Sequence, residues 1–288
     1  MITLSKDGFE LVIDPSTGGA IMRFSRAGKD VLRPAPKSGY DVRDTCCFPL
    51  VPYANRIERG VLRFQGRTIP LTLNFDDHPH SLHGHGWQTQ WRAESLAGDR
   101  AALAYDYTPG DWPWAYSAEE VFTLDRNGLA IRLTLRNRSA SEMPFSLGFH
   151  PYFPRLASTR LTAHVAGMWK ADPTMLPTDY ITDGLPLDLA HGAKLSEAPF
   201  VDNCFPGWRP PARIDQPESG LTVLLDASPD CTFLHCYVPE GEDFFCAEPV
   251  TAMPDAFNRP EPASVTGART LKPGERFAIE MRLRVSNS

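Results

Sequence analysis

Apolar and polar residues alternate along much of this chain with the period of a β-strand. The clearest run is Leu129, Ile131, Leu133 and Leu135 interleaved with Ala130, Arg132, Thr134 and Arg136, the period of two expected of a strand with one wet face. Just upstream, Asp125-Arg126-Asn127-Gly128 follows Val121, Phe122 and Leu124. An Asn-Gly pair between two such runs predicts a hairpin, because its residues tolerate the positive φ angles that tight hairpin turns require. The same pattern recurs at Ile21 to Phe24 and Val31-Leu32 around a turn at Arg26 to Asp30, and at Val61 to Phe64 and Thr68 to Leu73 around Gln65-Gly66. Near the C-terminus Ile279, Met281, Leu283 and Val285 alternate with Glu280, Arg282 and Arg284.

The 27 prolines and 21 glycines are spread over all 288 residues and interrupt any helical pattern early, which favours many short strands joined by turns. No Ser/Gly-rich linker or charge run divides the hairpins, so residues 1–288 are expected to form a single domain. The expected fold is all-β: one large antiparallel β-sandwich with few short helices. Irregular Pro-rich loops at Ala171 to Pro186 and Phe205 to Pro217 are expected over its edges, where binding sites commonly lie.

A net charge of −6 with both signs interspersed offers no basic face for a phosphate backbone, so nucleic acid is not an expected partner. Nowhere does the chain run apolar for the ~20 residues that span a bilayer, and no basic-then-apolar leader opens it. A soluble, cytoplasmic protein with no membrane partner is expected. Six cysteines without a CxxC pair, two of them adjacent at Cys46 and Cys47, read as reduced thiols.

Four segments could carry chemistry. The densest runs from Asp76-Asp77-His78 through His80 and His83 to Gly84-His85-Gly86-Trp87. Alternate histidines on a strand share a face and can hold a metal, as His83 and His85 would in a cupin-like metalloenzyme. The Glu that a cupin site needs shortly afterwards is missing, because Gln88-Thr89-Gln90-Trp91 intervene before Glu94; loop hydrogen bonding is the plainer fate of His78 and His80. The second segment, Phe145 to Phe153, sets His150 among aromatics, where an imidazole can exchange protons near neutrality or simply pack beside a cis-prolyl turn. The third ends a strand with Glu248 after Phe244-Phe245-Cys246-Ala247; burial there makes a better base, or else the residue pairs with an arginine. The fourth holds Asp202 in Val201-Asp202-Asn203-Cys204-Phe205, as a ligand for hydroxyls or an Asx turn. Arg56 offers planar donors suited to sugar oxygens or a salt bridge. Trp87, Trp91, Trp112 and Trp114 are either sugar platforms or core. There is no G-x-S-x-G nucleophile elbow, and nucleotide use has no motif behind it, since a Walker loop is absent and Gly84-His85-Gly86 lacks the third glycine of a dinucleotide fingerprint.

Taken in order, these segments resemble the aldose 1-epimerase (galactose mutarotase-like) family. The likeness rests on Asn55-Arg56-Ile57 with Gly60, Leu82-His83-Gly84, His150-Pro151-Tyr152-Phe153, Asp202, and Glu248 followed by Pro254-Asp255-Ala256-Phe257-Asn258. It implies the galactose mutarotase-like supersandwich with a sugar cleft on one sheet. It also implies a mutarotase that interconverts α and β anomers of a free aldose with Glu248 as general base and His150 as general acid. His83, Asp202 and Arg56 would hold the sugar, with no cofactor and no metal, in a monomer or homodimer. Phe149-His150-Pro151 and Gly84-His85-Gly86-Trp87 depart from the familiar pattern and mark a divergent branch whose sugar is open. A hexose-6-phosphate 1-epimerase would need a phosphate-binding arginine cluster, and strand alternation would scatter Arg56, Arg59, Arg63 and Arg67 over two faces. A sugar lactonase and a non-catalytic carbohydrate-binding protein are the other readings of the same fold.

Overall fold

The alternating run at residues 129–135 lies in the middle of a nine-stranded antiparallel sheet. The structure, a computed structural model, describes residues 1–76 and 78–287; Asp77, part of the histidine-rich segment, lies outside them. Among the described residues the order of this sheet is Arg92–Ala97, Arg100–Tyr107, Tyr116–Asp125, Gly128–Asn137, Arg276–Asn287, Leu221–Ala227, Arg209–Gln216, Arg160–His164 and Ala193–Lys194. The predicted hairpin is there, with Asp125 opposite Gly128. The turn differs in detail, because its two central residues are Arg126 and Asn127, neither at positive φ; of the Asn-Gly pair only Gly128 is, and the Asp125 carboxylate accepts the amides of Asn127 and Gly128. A Cβ on Gly128 would lie 2.0 Å from the Leu283 carbonyl oxygen, so the neighbouring strand also requires glycine there. At Gln65-Gly66 both residues do take positive φ, as a two-residue hairpin turn demands.

A second sheet, of eight strands, runs Pro177–Ile181, Met168–Ala171, Val201–Pro206, Phe233–Val238, Phe244–Val250, Gly148–Phe149 and Pro49–Leu50, with Tyr152–Pro154 also paired to Phe244–Val250. Leu103, Ile131 and Leu133 of the first sheet share one buried cluster with Phe205, Leu234 and Phe245 of the second. This is the sandwich interior, and each such side chain contributes about 1.5–3 kcal/mol by leaving water. The α-helical content of the described residues is the single turn Ala263–Thr266. No helix among them is long and apolar enough to cross a membrane. All six cysteines are free and buried.

The two Pro-rich stretches expected as irregular loops prove to contain strands, Pro177–Ile181 and Arg209–Gln216. In the second, Pro210 and Pro211 fall where the ladder to Arg160–His164 shifts register and before pairing with Leu221–Ala227 begins at Ala212. Proline lacks an amide donor, so it is tolerated in a strand at such an irregularity.

One position breaks the alternation of the first sheet. Tyr116, Ala118, Phe122 and Leu124 face the core, and Glu120 occupies the same inward row, fully buried, with Oε2 lacking any hydrogen-bond partner among the described residues. Burial pushes this carboxyl well above its ordinary range. The folded chain therefore keeps a proton that the unfolded chain releases, and stability drains away as pH rises past the ordinary carboxyl range. Glu120→Met is expected to be more stable than wild type by about 1–3 kcal/mol at about pH 8, with the gap shrinking toward about pH 4. Guanidinium unfolding at the two pH values checks it.

Candidate active site

Strand pleating on the second sheet sends two sets of side chains in opposite directions. Along Phe244–Val250, Phe245 and Ala247 enter the sandwich core, while Cys246 and Val250 join a separate cluster on the outer face with Phe48, Trp87 and Tyr152. Glu248 shares that outer parity. On the adjacent strand Leu234, Cys236 and Val238 point inward, leaving His235 on the outer face directly opposite Glu248 in register. One strand further, Val201 and Phe205 are core and Asp202 is outward, opposite Tyr237. Three strands thus deliver Glu248, His235 and Asp202 to one patch.

Arg56 and His83 come from the covering loops. Arg56 pairs with Leu82 in a two-residue ladder, and flanking it Asn55 and His83 both hold the left-handed conformation, at φ 60° and 56°. These two residues exchange bonds: the His83 amide donates to the Asn55 carbonyl at 2.9 Å, and the Asn55 amide donates to His83 Nδ1 at 3.1 Å. Nδ1 is therefore an acceptor, so the proton of the neutral ring sits on Nε2. Burial, reinforced by His150 and Arg56, keeps His83 well below its usual pKa and hence neutral. Left-handed non-glycine residues are costly and persist where surrounding contacts hold them. The Pro254 to Asn258 segment is one such brace. The Asp255 amide donates to the Arg56 carbonyl, the Asp255 carboxylate accepts the Glu58 amide, and Asn258 accepts the Arg63 amide.

Arg56 meets Asp202 across 146 residues of sequence through two bonds, Nη1 to Oδ1 at 3.3 Å and Nη2 to Oδ2 at 2.7 Å. His235 Nε2 bonds Asp202 Oδ1 at 2.8 Å. Burial alone would raise the Asp202 carboxyl, but the Arg56 charge and the His235 hydrogen bond outweigh it and hold the group well below the carboxylate range. Both Asp202 oxygens are thus engaged, and any sugar hydroxyl would share them with Arg56 and His235.

His150 follows the short strand Gly148–Phe149, and its amide is tied to the Phe48 carbonyl. Its ring packs against both Phe48 and Tyr152, at 4.6 and 4.7 Å between centroids. Nε2 lies 3.4 Å from Glu248 Oε1, with both residues buried. The cis peptide bonds of the structure are Val51-Pro52 and Pro210-Pro211, so His150-Pro151 is not the cis-prolyl turn that its sequence allows. Burial, aided by the Asp202 charge, pushes Glu248 well up; burial, aided by His235, pushes His150 down to about 3. Both shifts favour the uncharged forms, with the proton of the pair on the carboxyl and the imidazole neutral. Arg56 Nε, His150 Nδ1, His235 Nδ1 and Glu248 Oε2 are buried without a hydrogen-bond partner among the described residues, as expected of a site whose bonds are completed by a ligand. All these residues border a cleft of about 930 Å³.

All five residues singled out from the sequence converge here. His235 was missed. Its signal was the alternation Leu234, Cys236, Val238, which leaves a histidine facing away from the core. The histidine-rich segment does not act as one unit. His83 joins the site, His80 Nδ1 accepts the Arg59 amide, and His78 Nδ1 accepts the His80 amide. His85 turns to Asp111 at 2.9 Å and stacks on Tyr107. Because His83 and Gly84 are left-handed rather than extended, His83 and His85 do not share a face, and the cupin-like pairing fails. The one trio among the described residues able to converge on an ion is His150, Cys246 and Glu248, with donor atoms within 4.8 Å of one another. Burial raises the Cys246 thiol well above its normal pKa, so metal ligation would first require that proton to leave. Trp91, Trp112 and Trp114 are core, whereas Trp87 also lines the cleft.

Residues 1–284 match the sequence profile of the aldose 1-epimerases. YphB of Escherichia coli K12, a protein of uncharacterised function, is 36% identical over 98% of this chain and 98% of its own. A crystal structure from E. coli K12, provisionally assigned as an aldose 1-epimerase, superposes with a TM-score of 0.90 at 34% identity and covers 99% of this chain and 98% of that one. A galactose mutarotase-like protein from Clostridium acetobutylicum has the same fold, with a TM-score of 0.88 at 22% identity over 99% and 95% of the two chains.

Proposed function

The chain belongs to the aldose 1-epimerase family, and from that premise we propose that it is a mutarotase interconverting the α and β anomers of an unphosphorylated free aldose. The observation that carries this reading is the buried contact of 3.4 Å between His150 Nε2 and Glu248 Oε1 at the foot of a sugar-sized cleft. Ring opening needs one proton removed from the anomeric hydroxyl and one delivered to the ring oxygen. In the proposed cycle Glu248 takes the first and His150 gives the second as the C1–O5 bond breaks. The open-chain aldehyde then rotates about C1–C2. Closure on the other carbonyl face returns each proton by the reverse route. The residues thus exchange protons with the sugar in balance, and no cofactor is called for.

The starting state of this cycle is Glu248 ionised with His150 protonated, and the state after ring opening is Glu248 protonated with His150 neutral. These are the two one-proton forms of the same pair. Burial favours the uncharged one, so the empty pocket rests in that form, and the cycle begins when one proton passes from Glu248 to His150 across their 3.4 Å contact. His83 Nε2–H, Arg56 and Asp202 would supply hydrogen bonds that orient the ring.

Charge around the cleft supports an uncharged sugar. Of its three arginines, Arg56 is committed to Asp202, Arg43 to Asp41 and Asp76, and Arg33 Nη2 to the carbonyls of Arg43 and Thr45. Asp44, Asp202, Glu240, Glu242 and Glu248 also line it, which disfavours a phosphate. Arg59, Arg63 and Arg67 are exposed and do not border the cleft.

Polarimetry of freshly dissolved α-D-glucose or α-D-galactose tests the reading: faster relaxation with protein supports it, and no acceleration for any of a panel of aldoses overturns it. The pH profile follows from the one-proton state. His150 takes a second proton only near pH 3 and Glu248 loses its proton well above the usual range. Catalysed kcat/KM, after subtraction of the spontaneous rate, is therefore expected to hold level through the ordinary carboxyl range and to fall only at higher pH, as the pair loses its last proton. A fall centred at an ordinary carboxyl pKa, about 4.3, would contradict it.

A further inference from the structure

The cleft does not end at the catalytic pair. Rings succeed one another outward from His150: Tyr152 at 4.7 Å between centroids, then Phe244 at 5.2 Å, Tyr237 at 6.2 Å and Phe200 at 6.2 Å. All five border the same space. Burial falls along the series, from buried His150 and Tyr152 through half-buried Phe244 and Tyr237 to Phe200, which is 47% exposed. Phe200 lies two residues before Asp202, whose register partner is Tyr237, so the row starts from the same strands that build the site.

At about 930 Å³ the cleft is near the top of the ~300–1,000 Å³ that ligand pockets span, well beyond one pyranose ring. The polar groups along its outer part are the exposed carboxylates Glu240 and Glu242 and the Arg33 guanidinium, which sits 4.3 Å from the Tyr152 centroid and 4.4 Å from that of Phe244. Aromatic faces suit the C–H faces of sugars, and carboxylates and guanidinium suit their hydroxyls. The cleft also gives the substrate a direction. An anomeric centre at Glu248 and His150 is flanked by Phe48, whose ring lies 4.6 Å from that of His150, and the aromatic row offers the remainder of the molecule a path outward along the cleft.

We propose that the row ending at Tyr237 and Phe200 is a second saccharide subsite, so that the preferred substrate is a reducing disaccharide or longer oligosaccharide. Its reducing ring occupies the Glu248–His150 site and its next ring lies on Phe200 and Tyr237. The orientation rests on the mutarotase reading; the subsite itself rests on the row of rings.

The test compares mutarotation of maltose, cellobiose and lactose with that of glucose and galactose, by polarimetry, in wild type, Phe200→Ala and Phe200→Trp. Wild type is expected to show a kcat/KM for at least one disaccharide about tenfold above its monosaccharide, Phe200→Ala to cut that ratio about tenfold, and Phe200→Trp to retain it. A ratio near one in wild type, or one unchanged in Phe200→Ala, overturns the subsite. If no sugar is turned over, the mutarotase reading is what has failed, and calorimetry of the same sugars decides the subsite separately: disaccharide affinity above that of the monosaccharide and lost in Phe200→Ala upholds it, and equal affinities overturn it.

Discussion

Glu248→Gln is expected to lower kcat for anomer interconversion by about 10²–10⁴-fold, with KM changed by far less. The amide keeps the shape of the carboxylate and can still hydrogen-bond a hydroxyl, so sugar binding survives. What is lost is the ability to take a proton. The position gives that loss its size: Glu248 is buried, Oε2 has no protein partner among the described residues, and Oε1 faces His150 Nε2. Burial raises the basicity of this carboxylate well above that of one in water, and no other carboxylate of the cluster is free to replace it, since Asp202 is occupied by Arg56 and His235. Steady-state polarimetry on both proteins reads kcat and KM apart. A rise in KM alone, or near-normal turnover, removes Glu248 from the role.

Asp202→Ala is expected to cost about 3–5 kcal/mol of stability at neutral pH. Truncation leaves the buried Arg56 guanidinium without its counter-charge and His235 Nε2 without its acceptor. It also removes one tie of the Asn55 to Ile57 loop, whose others run through Asp255, His83 and the ladder to Ser81-Leu82. The sign with pH follows from the depressed carboxyl. The contribution of Asp202 is present in full above the ordinary carboxyl pKa and is lost as pH falls through its lower folded value. The stability gap between Asp202→Ala and wild type is therefore level through neutrality and closes only in strong acid. Guanidinium unfolding across pH measures it, and a gap that closes near neutrality contradicts the assignment.

Much of the fold was legible because strand periodicity is local. The run Leu129 to Leu135 and the run Ile279 to Val285 carry their own pattern, and in the structure they are direct neighbours, Leu133 facing Ile279. The Pro-rich stretches were misread because proline signals a break in pairing without saying that pairing resumes on either side of it. The site was legible only piecewise. Nothing near Arg56 announces Asp202, because the pair is made by a covering loop folding onto a distant strand. His235 carried a usable signal, a histidine in the polar phase of an apolar alternation, but on its own a single histidine in a short strand is ordinary. The Pro254 to Asn258 segment belongs to the family resemblance by its sequence, and the structure gives it a physical task, tethering the loop that carries Arg56.

Proton exchange with a sugar by the buried Glu248–His150 pair has its plainest readout at chemical equilibrium. Magnetisation exchange between the α and β anomeric proton signals of a panel of unphosphorylated aldoses and reducing disaccharides is measured by NMR with wild type and with Glu248→Gln. Accelerated α/β exchange for at least one sugar is expected with wild type, and its loss with Glu248→Gln. No acceleration of any sugar by wild type, or equal acceleration by Glu248→Gln, would contradict proton exchange by the pair.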